Sequence, residues 1–302
     1  GVHFLIVDSH KRTGDSWRDR WDSLELFTPR PFAQLPGKKI SKKYSYYPSK
    51  DEIADYMEDY AREFDLPIMY ETVVSAITKK DQVFSVRSEG DQVWSASCVV
   101  IATGPYTTPF IPAYASRLGK KVHQLHSSKY KSPSQLSSGE VLVVGGGNSG
   151  AQIAEDLHKT HAVTIAISGE PRFLPASVGG ISVYWLFYIF GLLRGRKRSI
   201  AAWYIDLKKE AIIGENTKRL IQKNKISLIP NRVTDAKENQ VIFTDGSRKQ
   251  VSSVVWATGF RNDYSFLKID NTIDSVGAPI HNDGVSKISG LYWMGLFRQS
   301  RL

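Results

Sequence analysis

The sequence predicts an α/β fold built twice from one kind of unit, and three observations carry that prediction. Val141-Leu-Val-Val144 is a run of aliphatic residues of the sort that forms a parallel strand buried on both faces. It runs without a gap into Gly145-Gly-Gly-Asn-Ser-Gly150, after which Ile153, Ala154 and Leu157 recur at helical spacing. The triplet Ala-Thr-Gly closes an apolar strand twice, at 102–104 after Val99-Val-Ile101 and at 257–259 after Val254-Val-Trp256. A hairpin precedes each, turning at Glu89-Gly90-Asp91 in the first case and after Val241-Ile-Phe-Thr-Asp-Gly246 in the second. Finally, Phe4-Leu-Ile-Val-Asp8 is a short apolar strand that ends in an acid.

The glycines Gly145, Gly147 and Gly150 satisfy G-x-G-x-x-G between a strand and a helix. That spacing supplies a tight turn, a close backbone approach to pyrophosphate, and a helix packed near its strand, with the phosphates on the amides of the helix N-terminus. A second strand, Val163-Thr-Ile-Ala-Ile167, follows where a Rossmann unit needs it and places Ser168 at its C-terminal end. An acid there would accept hydrogen bonds from the adenosine ribose of NAD and repel a 2′-phosphate. Ser168 can donate to that phosphate and Arg172 lies within reach, so NADP(H) is favoured over NAD(H), with Glu170 as the opposing residue. Asp8 stands where an acid would bind the ribose of another dinucleotide, and its glycine loop belongs about 20 residues earlier, before Gly1. The paired triplets read as a domain-scale duplication, because small residues at a strand's end let the backbone lie against a bound dinucleotide.

Composition narrows the class. A chain of 302 residues holds two domains, and 41% hydrophobic residues with 23 glycines suit a soluble α/β protein. The single Cys98 excludes an internal disulfide and any Cys-x-x-Cys pair, which points to the cytoplasm. The net charge of +10 is spread along the chain without a nucleic-acid motif, so anionic cofactors and solubility account for it. Only Arg194-Gly-Arg-Lys-Arg198 is clustered, after the mostly apolar stretch 181–193. That stretch is too short to span a bilayer, and reads as a buried helix ending in a basic turn or as a weak membrane-surface contact at 181–198. No paired carboxylates, Ser/His/Asp set or metal-ligand spacing occurs; His158 and His161 read as solvated loop residues.

The remaining elements follow in order. Ser49 to Glu52 is a capping box opening a helix with Ile53, Tyr56, Tyr60 and Phe64 on one face. A strand is expected around Tyr70 to Ile77, a crossover from Pro105 to Glu140, a helix over Asp206 to Lys223 and a strand over Ile226 to Ile229. The last strand is Leu291-Tyr-Trp-Met-Gly295.

Taken together, Gly14-Asp-Ser-Trp-Arg18, Leu26-Phe-Thr-Pro29, Ile101-Ala-Thr-Gly-Pro105, Val143-Val-Gly-Gly-Gly-Asn-Ser-Gly150, Trp256-Ala-Thr-Gly-Phe260 and Gly290-Leu-Tyr-Trp-Met-Gly295 resemble the flavin-dependent monooxygenases. The resemblance spans the whole chain. It is strongest to bacterial FAD/NAD(P)-dependent oxidoreductases of the cation-efflux-associated, CzcO-like type, and weaker to plant enzymes that make auxin from indole-pyruvate. It implies two Rossmann-like dinucleotide-binding domains, the NADP domain (139–253) inserted into the FAD domain (1–138 and 254–302). It also implies that Asp8 holds the FAD ribose, that Ser16, Trp17, Arg18 and Thr28 approach the flavin, and that Val73 meets the adenine through its backbone. Thr103, Gly104 and Gly259 would flank the cofactors, with Gly295, Leu296 and Gln299 near the flavin ring. Gly145, Gly146, Gly147, Asn148, Ser149, Gly150 and Ala151, with Ser168 and Arg172, would hold NADPH.

The implied activity is an NADPH-dependent, FAD-containing monooxygenase that acts on a small substrate with dioxygen through a flavin hydroperoxide. A homodimer is left open. The family's F-x-G-x-x-x-H-x-x-x-Y signature is half present: His126 and Tyr130 are correctly spaced, but Lys120 and Val122 stand where Phe and Gly belong. The FAD glycine loop and the family's C-terminal segment lie outside Gly1 to Leu302. His126 is read as a structural hydrogen-bonding group between domains, and the stretch Tyr184 to Phe190 as an entrance for an apolar substrate. Two alternatives remain open, an NADPH:flavin reductase that does not oxygenate and a nucleotide-sensing module of a cation transporter.

Overall fold

The computed structural model describes residues 1–189 and 211–296. One five-stranded sheet dominates it, in the order Ile226–Ile229, Ala162–Ala166, Glu140–Val144, Ser253–Trp256, His123–His126, all neighbours parallel. From the central strand, Glu140–Val144, the chain moves outward on one side through the next two strands and then returns to the other side with Ser253–Trp256. The strand order therefore reverses between Glu140–Val144 and Ser253–Trp256, and the carboxyl ends there form the crevice where open α/β sheets bind ligands.

The central strand is apolar throughout because both its faces are covered. Val141 and Val143 face one core with Ile153, Leu157, Ile165 and Val255, while Leu142 and Val144 face another with Phe243, Val254 and Trp256. Helix Asn148–Leu157 covers the first face and buries Ala151, Ile153, Ala154 and Leu157. At roughly 1.5–3 kcal/mol for each large aliphatic side chain, this helix face is enough to fix the helix on the sheet. Trp21 and Leu24 join the same core, so the N-terminal loop is wedged against the inserted half.

The duplication is visible in the strands. Val74–Lys80, Val83–Ser88 and Val93–Ala96 form an antiparallel sheet ahead of Val99–Ile101. Val233–Lys237, Gln240–Phe243 and Arg248–Gln250 do the same ahead of Ser253–Trp256. In the first half, Val99–Ile101 pairs in parallel with Leu291–Trp293, and Ile6–Val7 pairs in parallel with Ile68–Met69. Thr108–Pro109 and Phe260–Arg261, one in each connection between the halves, pair antiparallel.

Several expectations are corrected. The expected crossover contributes a strand of its own, His123–His126, which sits at the sheet edge where one-sided pairing tolerates its polar sequence. Residues 254–256, expected in the return segment, lie in the five-stranded sheet, because Val254, Val255 and Trp256 are all fully buried between its layers. The helix expected over 206–223 runs only from Asn216 to Gln222 where it is described, since Ile212–Ile213 pairs instead with Phe173–Leu174. The strand expected from Tyr70 begins at Val74, with Ile68–Met69 a separate short strand.

The capping box holds. Ser49 accepts from Glu52 N and Glu52 accepts from Ser49 N, opening helix Lys50–Glu63, but Phe64 falls at its C-cap and is exposed. The apolar stretch forms a short strand, Ile181–Ser182, and helix Val183–Ile189; its remainder and the basic run 194–198 lie outside the described residues.

Tyr130 is fully buried, and its hydroxyl donates to Asp156 at 2.9 Å on the sheet-covering helix. Burial first, and the adjacent carboxylate second, push the phenol pKa above its ordinary value, so it stays a donor. Tyr130→Phe leaves the Asp156 carboxylate short of a partner and is expected to lower stability by about 1–3 kcal/mol, read from urea denaturation.

Candidate nucleotide-binding site

The turn after the central strand is set by backbone contact. Gly145 N donates to Ala166 O at 3.0 Å, and Ala257 N donates to Val144 O at 2.8 Å, stitching the two strand ends on either side of the switch point. Gly145 has φ +131°, and a Cβ there would lie 2.1 Å from the Ala257 carbonyl oxygen. A Cβ on Gly150 would lie 2.4 Å from Gly145 O, and one on Gly146 would lie 2.5 Å from Ile167 Cγ2. The loop is therefore pressed against its neighbours on one side, with the Gly145 amide already bonded to Ala166 O. Gly147 caps helix Asn148–Leu157, whose first-turn amides lack intrahelical acceptors and form a ready anion site. Ser149 lies in that first turn, and Ala151 N donates to Gly147 O at 3.1 Å.

Asn148 has a second task. Its Oδ1 accepts from Ile213 N at 2.8 Å and its Nδ2 donates to Ala211 O at 3.4 Å, so the side chain pins the segment that arrives beside the turn. Ser168 and Glu170 are both exposed beyond the second strand, and Arg172 O accepts from Ile212 N at 2.8 Å.

Of the expected flavin residues, Asp8 follows the strand Ile6–Val7, and its carboxylate accepts from His10 N at 2.9 Å and meets His10 Nδ1 at 2.9 Å. Thr103 is exposed beyond Val99–Ile101, while Gly104, Gly259 and Gly295 have φ of +71°, +82° and +77° with open space where a Cβ would stand. Val73 is exposed, and its carbonyl accepts from Glu89 N at 2.9 Å. Thr28 donates to Tyr184 OH at 3.3 Å, which joins the N-terminal loop to helix Val183–Ile189.

Ser16, Trp17 and Arg18 lie on the short helix Asp15–Arg18, with Ser16 exposed and Trp17 packed between two cores. Gly14 begins that helix at φ +89°, where a Cβ would strike Ala54 O at 2.6 Å. Arg18 turns away toward helix Lys50–Glu63, donating to Asp55 at 2.8 Å and Glu58 at 2.6 Å, so its charge is already spent. Gln299 lies outside the described residues.

His126 is buried on the edge strand. Its Nε2 lies 2.9 Å from Gly259 O, while Nδ1 faces Ser128 N at 3.1 Å and Ser128 Oγ at 3.0 Å. A neutral ring that donates from Nε2 and accepts at Nδ1 satisfies all three contacts. Burial lowers its pKa below the ordinary 6.5, the Gly259 carbonyl opposes that, and the nearby Arg20 adds to the lowering. His126 thus anchors the second Ala-Thr-Gly turn and works as a positioning group.

Residues 1–177 match the pyridine nucleotide-disulphide oxidoreductase family. The chain belongs to that family. It is 45% identical over 300 residues to an uncharacterised CzcO-like oxidoreductase of Geobacillus kaustophilus, covering 99% of this chain and 86% of the relative. It is 27% identical to the indole-3-pyruvate monooxygenase YUCCA1 of Oryza sativa, covering 100% of this chain and 82% of that protein. Among solved structures it superposes on a flavin-containing monooxygenase from Stenotrophomonas maltophilia with a TM-score of 0.81 at 23% identity, over 99% of this chain and 84% of the other.

Membership establishes an oxidoreductase with the two-dinucleotide-domain fold, and FAD and NADPH are the cofactors it implies. It also favours an enzyme over the nucleotide-sensing module. Within residues 1–302 Cys98 is the lone cysteine, so these residues hold no internal dithiol.

Sequence reasoning missed one residue that shapes the glycine turn. Ala257 bounds that turn, a role its triplet only hints at.

Gly145→Ala forces a clash with backbone at a left-handed φ, and is expected to lower stability by roughly 3 kcal/mol or more, read from the thermal transition. His126 sets a pH dependence. Because its folded pKa is lowered, the unfolded chain binds more protons, so its contribution is complete above pH 6.5 and is lost as pH falls through the folded value. The urea midpoint should drop between pH 7.5 and about 5.5 in the wild type, and less steeply in His126→Gln.

Proposed function

We propose that the chain is a FAD-containing, NADPH-dependent oxidoreductase of the monooxygenase type, acting on a small substrate with dioxygen. The observation that carries this reading is the glycine turn at the switch point, where Gly145 lies against Ala257 so closely that only a bare backbone fits. When bound, NADPH supplies a hydride and FAD the redox centre that passes electrons onward.

The residues divide the remaining work. Amides of Gly146 to Gly150 receive the pyrophosphate, and Ser168 with Arg172 selects the 2′-phosphate. Asp8 receives the FAD ribose, its carboxylate already oriented by His10. Thr103, Gly104, Gly259 and Gly295 leave room for cofactors to lie along bare backbone. His126 keeps the Gly259 carbonyl turned inward while remaining uncharged. Thr28 is held beside Tyr184 by their hydroxyl contact, and Trp17 packs into the same core as Leu26, near Thr28 in sequence. The cytoplasm is the compartment that suits a single free thiol.

Reduction without oxygen transfer is the second reading. It is favoured by Lys120 and Val122 at positions where the monooxygenase signature has Phe and Gly; Val122 is buried in the core.

The purified protein reconstituted with FAD should show a flavin spectrum that bleaches with NADPH and recovers as oxygen is consumed. A colourless protein that cannot be reconstituted with FAD sinks the reading, and oxygen consumed wholly as hydrogen peroxide with every substrate tried selects the reductase. Ser168→Asp should weaken NADPH binding at least about tenfold while NADH binding holds or improves, as measured by protein-fluorescence titration.

A further inference from the structure

Arg20 has no ion-pair partner among the described residues. It follows the helix Asp15–Arg18 on the N-terminal loop, and its guanidinium carbon lies 5.8 Å from the centre of the Tyr106 ring and 5.7 Å from that of Phe260. Among the described residues no carboxylate lies within ion-pair distance of it, and its side chain donates no hydrogen bond to protein. Neighbouring Arg18, by contrast, is saturated by Asp55 and Glu58. Burial lowers the Arg20 pKa, with Tyr106 and Asp19 opposing only in part.

Its position gives that imbalance a direction. Phe260 immediately follows Gly259, and Tyr106 lies two residues beyond Gly104, so one guanidinium touches the exits of both Ala-Thr-Gly turns. Both turn glycines have open space on the side where a Cβ would project. The second turn is continuous with the glycine loop, since Ala257 is the residue against which Gly145 is pressed. Aromatic faces attract the charge but match none of the five in-plane N–H donors, which suit the oxygens of a phosphate or carboxylate.

We propose that Arg20 is an anion-recognition residue at the junction of the two halves, and that its guanidinium takes a phosphate oxygen of the nicotinamide dinucleotide held by the glycine turn. This rests on the functional reading above. The dinucleotide is the favoured source of the oxyanion because its cradle and the Arg20 platform share one turn, Ala257 to Phe260.

The test is equilibrium binding of NADP⁺ to the full chain, independent of turnover, for wild type, Arg20→Met and Arg20→Lys, with thermal transitions measured alongside. Arg20→Met keeps an apolar stem against the rings and should weaken NADP⁺ by about 10- to 100-fold with little change in the transition, as expected for one charge-assisted hydrogen bond. Arg20→Lys keeps the charge but not the planar fork, and should fall between. Inorganic pyrophosphate should displace NADP⁺ from the wild type more effectively than from Arg20→Met.

Unchanged NADP⁺ affinity in Arg20→Met, with a lowered transition, would make Arg20 a structural staple and overturn the proposal. Arg20-dependent binding of benzoate, with pyrophosphate ineffective, would overturn it in favour of a carboxylate substrate. A wild type that fails to bind NADP⁺ at all would overturn the functional reading itself. Wild-type binding matched by Arg20→Met would remove only the assignment of Arg20.

Discussion

The contact between Gly145 and the Ala257 carbonyl sets the terms for everything around it. Two parallel strand ends meet there at backbone distance, and Gly145 cannot carry a side chain without moving the strands apart. Because Gly145 N and Ala257 N are both tied into neighbouring strands, the turn cannot relax away from the contact. The Gly145 amide is spent on that tie, and the helix that begins at Asn148 follows directly from the turn. The first-turn amides of that helix, which have no intrahelical acceptor, form the candidate anion site.

The two halves share a plan but differ in completeness of burial. In the inserted half both faces of the central sheet are covered, one by helix Asn148–Leu157 and the other by an antiparallel sheet. In the first half the strand Ile6–Val7 carries exposed apolar neighbours, including Phe4 and Leu5, and Val100 is half exposed on the equivalent strand. Trp21 and Leu24 tie the N-terminal loop to the core of the inserted half. The loop's short helix is clamped from the opposite side by Arg18 and by the close approach of Gly14 to Ala54.

Much of this was legible in the chain. Val141 to Val144, the glycine spacing and the paired Ala-Thr-Gly triplets each carry a local physical demand that a reader can recognise, and the strands formed as those demands require. The edge strand His123–His126 was not legible because its polar sequence carries no buried periodicity, and its place follows from pairing with Ser253–Trp256. Ile212–Ile213 was hidden for a related reason, since a two-residue strand in a helix-rich composition has no period to detect. In the site, backbone roles could be read and side-chain roles could not. Arg18 and Asn148 are occupied by partners 40 and 65 residues away, and such partners are invisible without the fold.

The ribbon formed by Thr108–Pro109 and Phe260–Arg261 brings the two connections between the halves together, and Phe110 N donates to Gly259 O at 2.9 Å just beside it. The inserted stretch therefore starts and finishes at the same point in space. An insert with touching ends imposes almost no loop-closure cost on its host, since a short turn could replace it without moving the flanking strands. That is the geometry of a cassette. A chain of this design could have been assembled in evolution by dropping one copy of a nucleotide-binding unit into a surface turn of another.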